Sequence, residues 1–270
     1  MPVKPRFTAI ILAGDRTPDD PLVREAGTQC KALIPVAGTP MVLRVLDALG
    51  NSCHIGERIL CGPPASAVQG APQLKEIIRT GKVDWLENQA SPSLSATHAM
   101  QSVADTQPVL LTTADHALLS PDILDNFCAQ AVRGDYDVVA GLACYDDIIR
   151  AYPDTRRTAL KFRDGRYSGC NLFAFTTPAG RRITNFWRQI EQQRKNPFRV
   201  VSAAGWMAVL RYALGQLTLE EGLQRISKRL NLRIGVVILP QAQAAIDIDT
   251  VADWKLADKI AGGNRQADKN

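Results

Sequence analysis

No stretch of the 270-residue chain stays apolar long enough to cross a bilayer. The first apolar run, Ala9 to Ala13, is also too short for the core of a secretory signal, so the expectation is a cytoplasmic protein with no membrane span. Six cysteines are present, but no two form a C-x-x-C pair, which argues against a structural zinc site. Without an export signal they read as reduced thiols, with Cys61, Cys144 and Cys170 set in apolar runs as core. Positive charge is not gathered into a stripe. The net charge is +5, and the densest groups are only Arg156-Arg157 and Arg181-Arg182. That pattern favours a small anionic ligand and no nucleic acid. There is no G-x-x-x-x-G-K-[ST] loop, no G-x-G-x-x-G fingerprint and no G-x-S-x-G elbow. P-loop, dinucleotide-binding and serine-nucleophile chemistry are thereby set aside. Internal repeats and low-complexity linkers are lacking as well.

What is present is an alternation of apolar runs and helical patterns. Ala9 to Ala13 reads as a buried strand that stops at Gly14, and Arg58 to Cys61 as a second that breaks at Gly62-Pro63-Pro64. Val83 to Leu86, Pro108 to Thr112 and Tyr136 to Cys144 read as further strands. Between them lie helical patterns: Pro40 to Gly50, Gln73 to Thr80, Ser91-Pro92 to about Ala104, and Ser120-Pro121 to Gly134. Alternating strand and helix predicts a three-layer α/β fold around a mostly parallel, doubly wound sheet. The second half changes character. Ala159 to Phe162 and Gly169 to Phe175 flank an Asp164-Gly165 hairpin signal. Helices follow from Thr177-Pro178 to about Lys195, over Val200 to Leu214, and from the capping box Thr218-Leu219-Glu220-Glu221 to about Leu230. Arg233 to Leu239 and Ala244 to Ile248 are expected as the last strands, Val251 to Ile260 as the last helix, and the tail from Gly262 as frayed.

Three stretches carry the residue types of a chemical site. Thr8 to Arg16 ends a buried strand in a glycine turn, with Lys31 arriving soon after. Exposed backbone N–H groups beside an Arg and a Lys can seat a triphosphate, and the same pattern also opens an ordinary α/β domain. Val109 to His116 puts Asp115 just past a strand end, where ligands gather in open α/β sheets. It can hold Mg²⁺ there, or simply cap a helix entry. His116 reads as a structural neighbour rather than a base. Ala245 to Thr250 carries Asp247 and Asp249, which alternation places on one strand face; Asp249 or Thr250 could equally be an N-cap. Arg157 and Lys161 could meet a phosphate, with solvated surface charge as the default.

Leu12-Ala13-Gly14-x-Arg16 followed by Lys31-Ala32-Leu33-x-Pro35-x-x-Gly38-x-Pro40 resembles the signature of the MobA-like nucleotidyltransferases. The family pattern has Gly-Gly after Leu-Ala, whereas Asp15 stands at the second position here. Ala245 to Asp253 is similar to the family's D-x-D-T-x-x-D segment, with Val251-Ala252 in place of its Pro-Glu. The resemblance implies a GT-A-type fold with a helical C-terminal insertion. It implies one domain over 1–270, with a nucleotide-binding half to about 145, an acceptor-side half to about 262 and a tail beyond. It implies transfer of an NMP from an NTP, CTP or GTP favoured, to a phosphorylated small-molecule acceptor with loss of pyrophosphate. Arg16 and Lys31 are then the catalytic cations. Leu12, Ala13, Gly14, Asp15 and Ser93 bind nucleotide, Asp115 and Asp249 bind Mg²⁺, and Asn171 matches an acceptor-contact position. The helical block from about 178 to 230 would serve the acceptor or a homodimer contact. His54-Ile55-Gly56-Glu57 lacks the second His of the H-x-G-H cytidylyltransferases. A GT-A glycosyltransferase is the alternative enzyme, although its usual acidic pair is missing because Thr113-Ala114 precedes Asp115. A non-catalytic nucleotide-binding domain is the other alternative.

Overall fold

Phe7–Leu12 forms the strand at the heart of the molecule, and it is apolar almost throughout because both its faces are covered. Phe7, Ala9 and Ile11 enter one core cluster and Ile10 the other, all without solvent exposure. Burying an isoleucine in this way is worth about 1.5–3 kcal/mol. The computed structural model describes residues 6–15, 19–184, 187 and 206–267.

The described strands are β1 (Phe7–Leu12), β2 (Pro35–Val36), β3 (Thr39–Pro40), β4 (Ile55–Cys61), β5 (Asp84–Leu86), β6 (Val109–Thr113), β7 (Val138–Cys144), β8 (Leu160–Phe162), β9 (Gly165–Phe175) and β10 (Ile234–Leu239). Eight of them make one sheet in the order β10-β7-β9-β6-β1-β4-β5, with β8 attached to β9. Pairing along the order is parallel except at β9, which runs against both β6 and β7. The expected mostly parallel three-layer α/β fold is therefore present, with one reversed strand in its middle.

The helices described are α1 (Pro21–Ala26), α2 (Met41–Asn51), α3 (Ala65–Gln69), α4 (Pro72–Arg79), α5 (Pro92–Gln101), α6 (Pro121–Arg133), α7 (Tyr145–Ala151), α8 (Pro178–Arg181), α9 (Trp206–Ala213), α10 (Leu219–Leu230) and α11 (Val251–Ala267). Met41 and Leu49 of α2, Phe127 of α6 and Ala257 of α11 pack on one sheet face, while Ala96 and Ala99 of α5 pack on the other. The Ser-Pro and Thr-Pro signals mark true helix starts. Ser91, Ser120 and Thr177 each accept a backbone N–H of the first turn, at Leu94, Ile123 and Gly180. Thr218 and Glu221 close a reciprocal capping box. Helices α3 and α7 have no such side-chain cap, and α7 instead carries Asp146 and Asp147 in its first turn.

Two expectations need correction. Ala244 to Ile248 is not a strand: Ala242–Ala245 makes a 3-10 turn, and Ile248 N then donates a lone hydrogen bond of 3.1 Å to Asp115 O. The apolar run is there to fill the core, where Ala244, Ile246 and Ile248 are fully buried. The hairpin between β8 and β9 closes on Arg163-Asp164, because Phe162 pairs with Gly165. The expected helix from 177 to 195 lies mostly outside the described residues, as do 200–205 of the next one. The last helix continues past Ile260 to Ala267.

Candidate active site

Three parallel strands end level. Leu12 pairs with Cys61 on one side and with Thr113 on the other. Gly14, Gly62 and Asp115 follow directly, so strand register alone gathers them at one sheet edge. Gly62 has φ +82°, and a Cβ there would stand 3.1 Å from Ala13 C and Gly14 N. Only glycine lets the β4 exit press on the β1 turn. At Gly14 a Cβ would meet the Asn88 side chain at 3.1–3.2 Å, so this glycine admits Asn88 to the turn. Leu12 and Gly14 line the cleft, and Ala13 is buried with its N–H bound to Cys61 O at 2.8 Å.

Asp15 fits its position without left-handed backbone, since the described non-glycine residues with positive φ are Ala37, Asn171 and Asn231. Its carboxylate turns toward the Lys31 backbone N–H, which donates at 3.1 and 3.4 Å. Asp15 thus steadies the first residue of the Lys31–Leu33 turn. Burial pushes its carboxyl above the ordinary value, and the Lys31 N–H opposes that shift. Arg16 lies outside the described residues.

The Lys31 ammonium is the centre of the site. Nζ donates to Asp115 Oδ2 at 2.7 Å and to Asp249 Oδ1 at 2.6 Å. Thr113 Oγ1 donates to the other Asp115 oxygen at 2.5 Å. For Lys31, burial works against the charged form, but Asp115 and Asp249 outweigh it and raise the pKa. For Asp115, burial would raise the value, and Lys31 and Thr113 together hold it below the usual carboxylate range. Two carboxylates therefore converge on one cationic point, and the triangle carries net negative charge. A triphosphate approaching it without a further cation would be repelled. The two oxygens offered to Nζ are the hard donors a divalent ion takes, so the donor set fits Mg²⁺.

Asp247 does not share a face with Asp249. Asp249 side chain is 56% exposed and meets Lys31, whereas Asp247 turns inward to Arg157. Arg157 is not a solvated surface charge. Its guanidinium pairs with Asp247 Oδ1, bonds Asp247 O at 2.7 Å and reaches Asp253 Oδ1 at 2.5 Å, and its side chain is only 7% exposed. Asn171 Nδ2 donates to Asp247 Oδ2 at 3.0 Å. Asp253 in turn accepts from Thr250 N and Oγ1 at 3.0 and 2.7 Å, starting α11. This buried network holds the 247–253 segment so that Asp249 is presented to Lys31. Nothing in the sequence separates Arg157 from Arg156.

A cleft of about 660 Å³ opens from the triangle across the sheet face. Lys31, Asp115, Asp249 and Asn171 line its polar end, and Phe173, Phe175 and Trp187 its apolar wall. Asn171, Phe173 and Phe175 share one face of β9 by simple alternation, a signal present in the sequence. Ser93 is fully buried at the start of α5, 3.0 Å from Ser91 Oγ, while its neighbour Pro92 reaches the cleft wall. Lys161 is exposed on β8, away from this lining. His116 is buried behind Asp115 with neither ring nitrogen in a hydrogen bond, and burial lowers its pKa to about 4. It is a neutral packing group. Arg181 is no anion site either: its guanidinium binds the carbonyls of Val103, Ala104 and Gln107 behind α5.

A mostly parallel sheet whose strand ends carry a glycine turn and a carboxylate, with a lysine and a second carboxylate brought to them from neighbouring loops, has the architecture of a nucleotide-handling α/β enzyme. Residues 9–234 match the MobA-like NTP transferase domain model, and the chain belongs to that family of nucleotidyltransferases. It is 26% identical over 257 residues to a 2-C-methyl-D-erythritol 4-phosphate cytidylyltransferase of Frankia casuarinae, covering 95% of this chain and 81% of that protein. A structure described as a hypothetical transferase from Thermus thermophilus superposes with a TM-score of 0.76 at 24% identity, over 92% of this chain and 99% of the other. A CMP:2-keto-3-deoxy-manno-octonic acid synthetase complexed with CTP shares the fold with a TM-score of 0.57 at 13% identity, over 96% and 99% of the two chains. Among the described residues, no helix is long and apolar enough to cross a membrane.

Proposed function

We propose that this enzyme moves an NMP from an NTP, CTP ahead of GTP, to a phosphorylated small molecule in a Mg²⁺-dependent reaction. The observation that carries the reading is the Lys31 ammonium held between Asp115 and Asp249 at the strand ends beside Gly14. CTP is placed first because the named relatives include a cytidylyltransferase and a synthetase complexed with CTP. An acceptor phosphate oxygen attacks the α-phosphorus, a P–O bond forms, and pyrophosphate leaves with the electron pair of the broken bond. No covalent enzyme intermediate is required; alignment and charge balance supply the catalysis. Mg²⁺ held by Asp115 and Asp249 would supply neutralisation and polarisation of phosphate oxygens. Lys31 serves the α-phosphate, where negative charge builds as phosphorus becomes five-coordinate. Backbone around Gly14 faces the phosphates, and Asn171 with the polar end of the cleft orients the acceptor. The same reading keeps a homodimer contact on the helical block, where Leu210, Leu214 and Ile226 stand exposed.

The test is pyrophosphate release. The purified chain is incubated with each of four NTPs, Mg²⁺ and a panel of phosphorylated alcohols and sugars. Release that needs NTP, metal and acceptor together, fastest with CTP, is expected. Cleavage of sugar nucleotides without pyrophosphate release would replace this reading with the glycosyltransferase one. NTP binding that raises the melting temperature without turnover on any acceptor would favour a binding domain.

A further inference from the structure

The cluster of Cys53, His54 and Asp125 lies at the opposite end of β4 from the cleft, and the reaction does not use it. We propose that it is a zinc site, with Cys53 Sγ, His54 Nδ1 and an Asp125 oxygen as ligands and solvent at the fourth position. The three atoms lie within 4.8 Å of one another. Sγ to Nδ1 is 3.2 Å, and Nδ1 to Asp125 Oδ1 is 3.1 Å. The corresponding edges of a tetrahedral zinc site are about 3.6 and about 3.4 Å, given its ordinary bond lengths. A few tenths of an ångström of outward movement admits the ion. Thiolate, imidazole and carboxylate together suit a borderline metal such as Zn²⁺ rather than Mg²⁺.

The ligands are held in place from behind. The His54 carbonyl is fixed by Phe7 N at 2.8 Å, which ties it to β1. Ser52 Oγ donates to Asp125 Oδ1 at 2.5 Å and accepts from His54 N at 3.2 Å, so the same hydroxyl braces two ligands. A single ring nitrogen faces both a sulfur and a carboxylate oxygen, an arrangement that one cation satisfies at once. Access is open: Cys53 is exposed and the Asp125 side chain is 32% exposed, while His54 forms the floor. Cys128, one turn further along α6, is buried and is not one of the three converging donors. The ion would staple the β4 entrance to α6. Sequence spacing hides the site because Asp125 arrives from 71 residues away.

The test uses the full chain, stripped with a chelator and titrated with Zn²⁺ or Co²⁺. Binding replaces the Cys53 thiol proton, so protons are released as the ion enters. Zn²⁺ should bind with micromolar or tighter affinity and raise the melting temperature, and Co²⁺ should show a thiolate charge-transfer band. All three should be lost in Cys53→Ser, whose exposed position makes it a safe variant for folding, and weakened in Asp125→Asn. The Asp115→Asn, Asp249→Asn double variant should keep them, which separates this site from the cleft. Zinc affinity unchanged in Cys53→Ser, or a cobalt spectrum without the thiolate band, overturns the proposal and leaves a hydrogen-bonded surface cluster.

Discussion

Lys31 Nζ stands 2.7 Å from Asp115 Oδ2, and the two residues are 84 positions apart. The ammonium is also 2.6 Å from Asp249, 218 positions away. One cation therefore organises the two carboxylates that resemblance assigns to metal, and it would compete with a bound Mg²⁺ for them.

Competition makes Lys31→Ala informative in two directions. Turnover should fall by about 10²–10³, as when one donor to a developing anion is removed. The Mg²⁺ concentration for half-maximal rate should fall too, because Asp115 and Asp249 lose their internal counter-charge. Steady-state rates across a Mg²⁺ series measure both. An unchanged kcat would reduce Lys31 to a loop residue.

Asp115→Asn and Asp249→Asn keep shape and one carbonyl oxygen but remove the charge a hard cation prefers. Each should fold and need more Mg²⁺ than wild type. Asp115→Asn should be the worse, since Asp115 is the buried partner and Asp249 the exposed one. The double variant should be little worse than Asp115→Asn, because the pair acts as a unit. Wild-type Mg²⁺ dependence in both single variants would remove the shared site.

Asp15→Asn preserves an acceptor for the Lys31 N–H and deletes a negative charge beside the phosphates. The native carboxyl pKa is raised, so the native state holds its proton longer than the unfolded chain, and stability falls as pH rises through that window. The variant should melt higher than wild type at neutral pH, lose that advantage in acid, and bind NTP more tightly. Weaker NTP binding would mean that the carboxylate itself serves the site.

Arg157→Ala leaves Asp247 and Asp253 without their shared cation. Stripping one partner from a buried pair costs about 3–5 kcal/mol, which urea denaturation would register. Arg157→Lys should recover only part of it, because one ammonium cannot reproduce the forked contacts. A loss below about 1 kcal/mol, the range of surface pairs, would contradict the burial of Arg157.

Acid sensitivity should be set in part by Asp137. Arg233 hydrogen bonds, against some desolvation, lower its pKa to about 2, with Arg233 N and Thr177 assisting. A depressed carboxyl pKa adds stability that is present above the unfolded value of about 3.9 and disappears as pH falls toward 2. That contribution is about 2.5 kcal/mol on conversion of the difference between about 3.9 and about 2. Asp137→Asn should be less stable than wild type at neutral pH by that order, and the gap should close near pH 2. A gap independent of pH would assign the effect to packing.

The sequence by itself determined the layers and the sheet edge. Buried strands announce themselves as apolar runs such as Ala9 to Ala13, and helix starts as Ser-Pro and Thr-Pro pairs, because burial and capping are local demands. Those same runs place Gly14 and Asp115 past strand ends, so half the site was legible before any packing was known. Tertiary structure alone decided the remainder. Ala244 to Ile248 is as apolar as a strand yet lies off the sheet, since core filling and ladder pairing ask for the same residues. Arg157 and Arg156 are identical side chains one residue apart, and only the fold selects Arg157 to bind Asp247 and Asp253. Lys31, Asp115 and Asp249 meet because three distant loops close on one point, a relation that residue type and spacing do not encode.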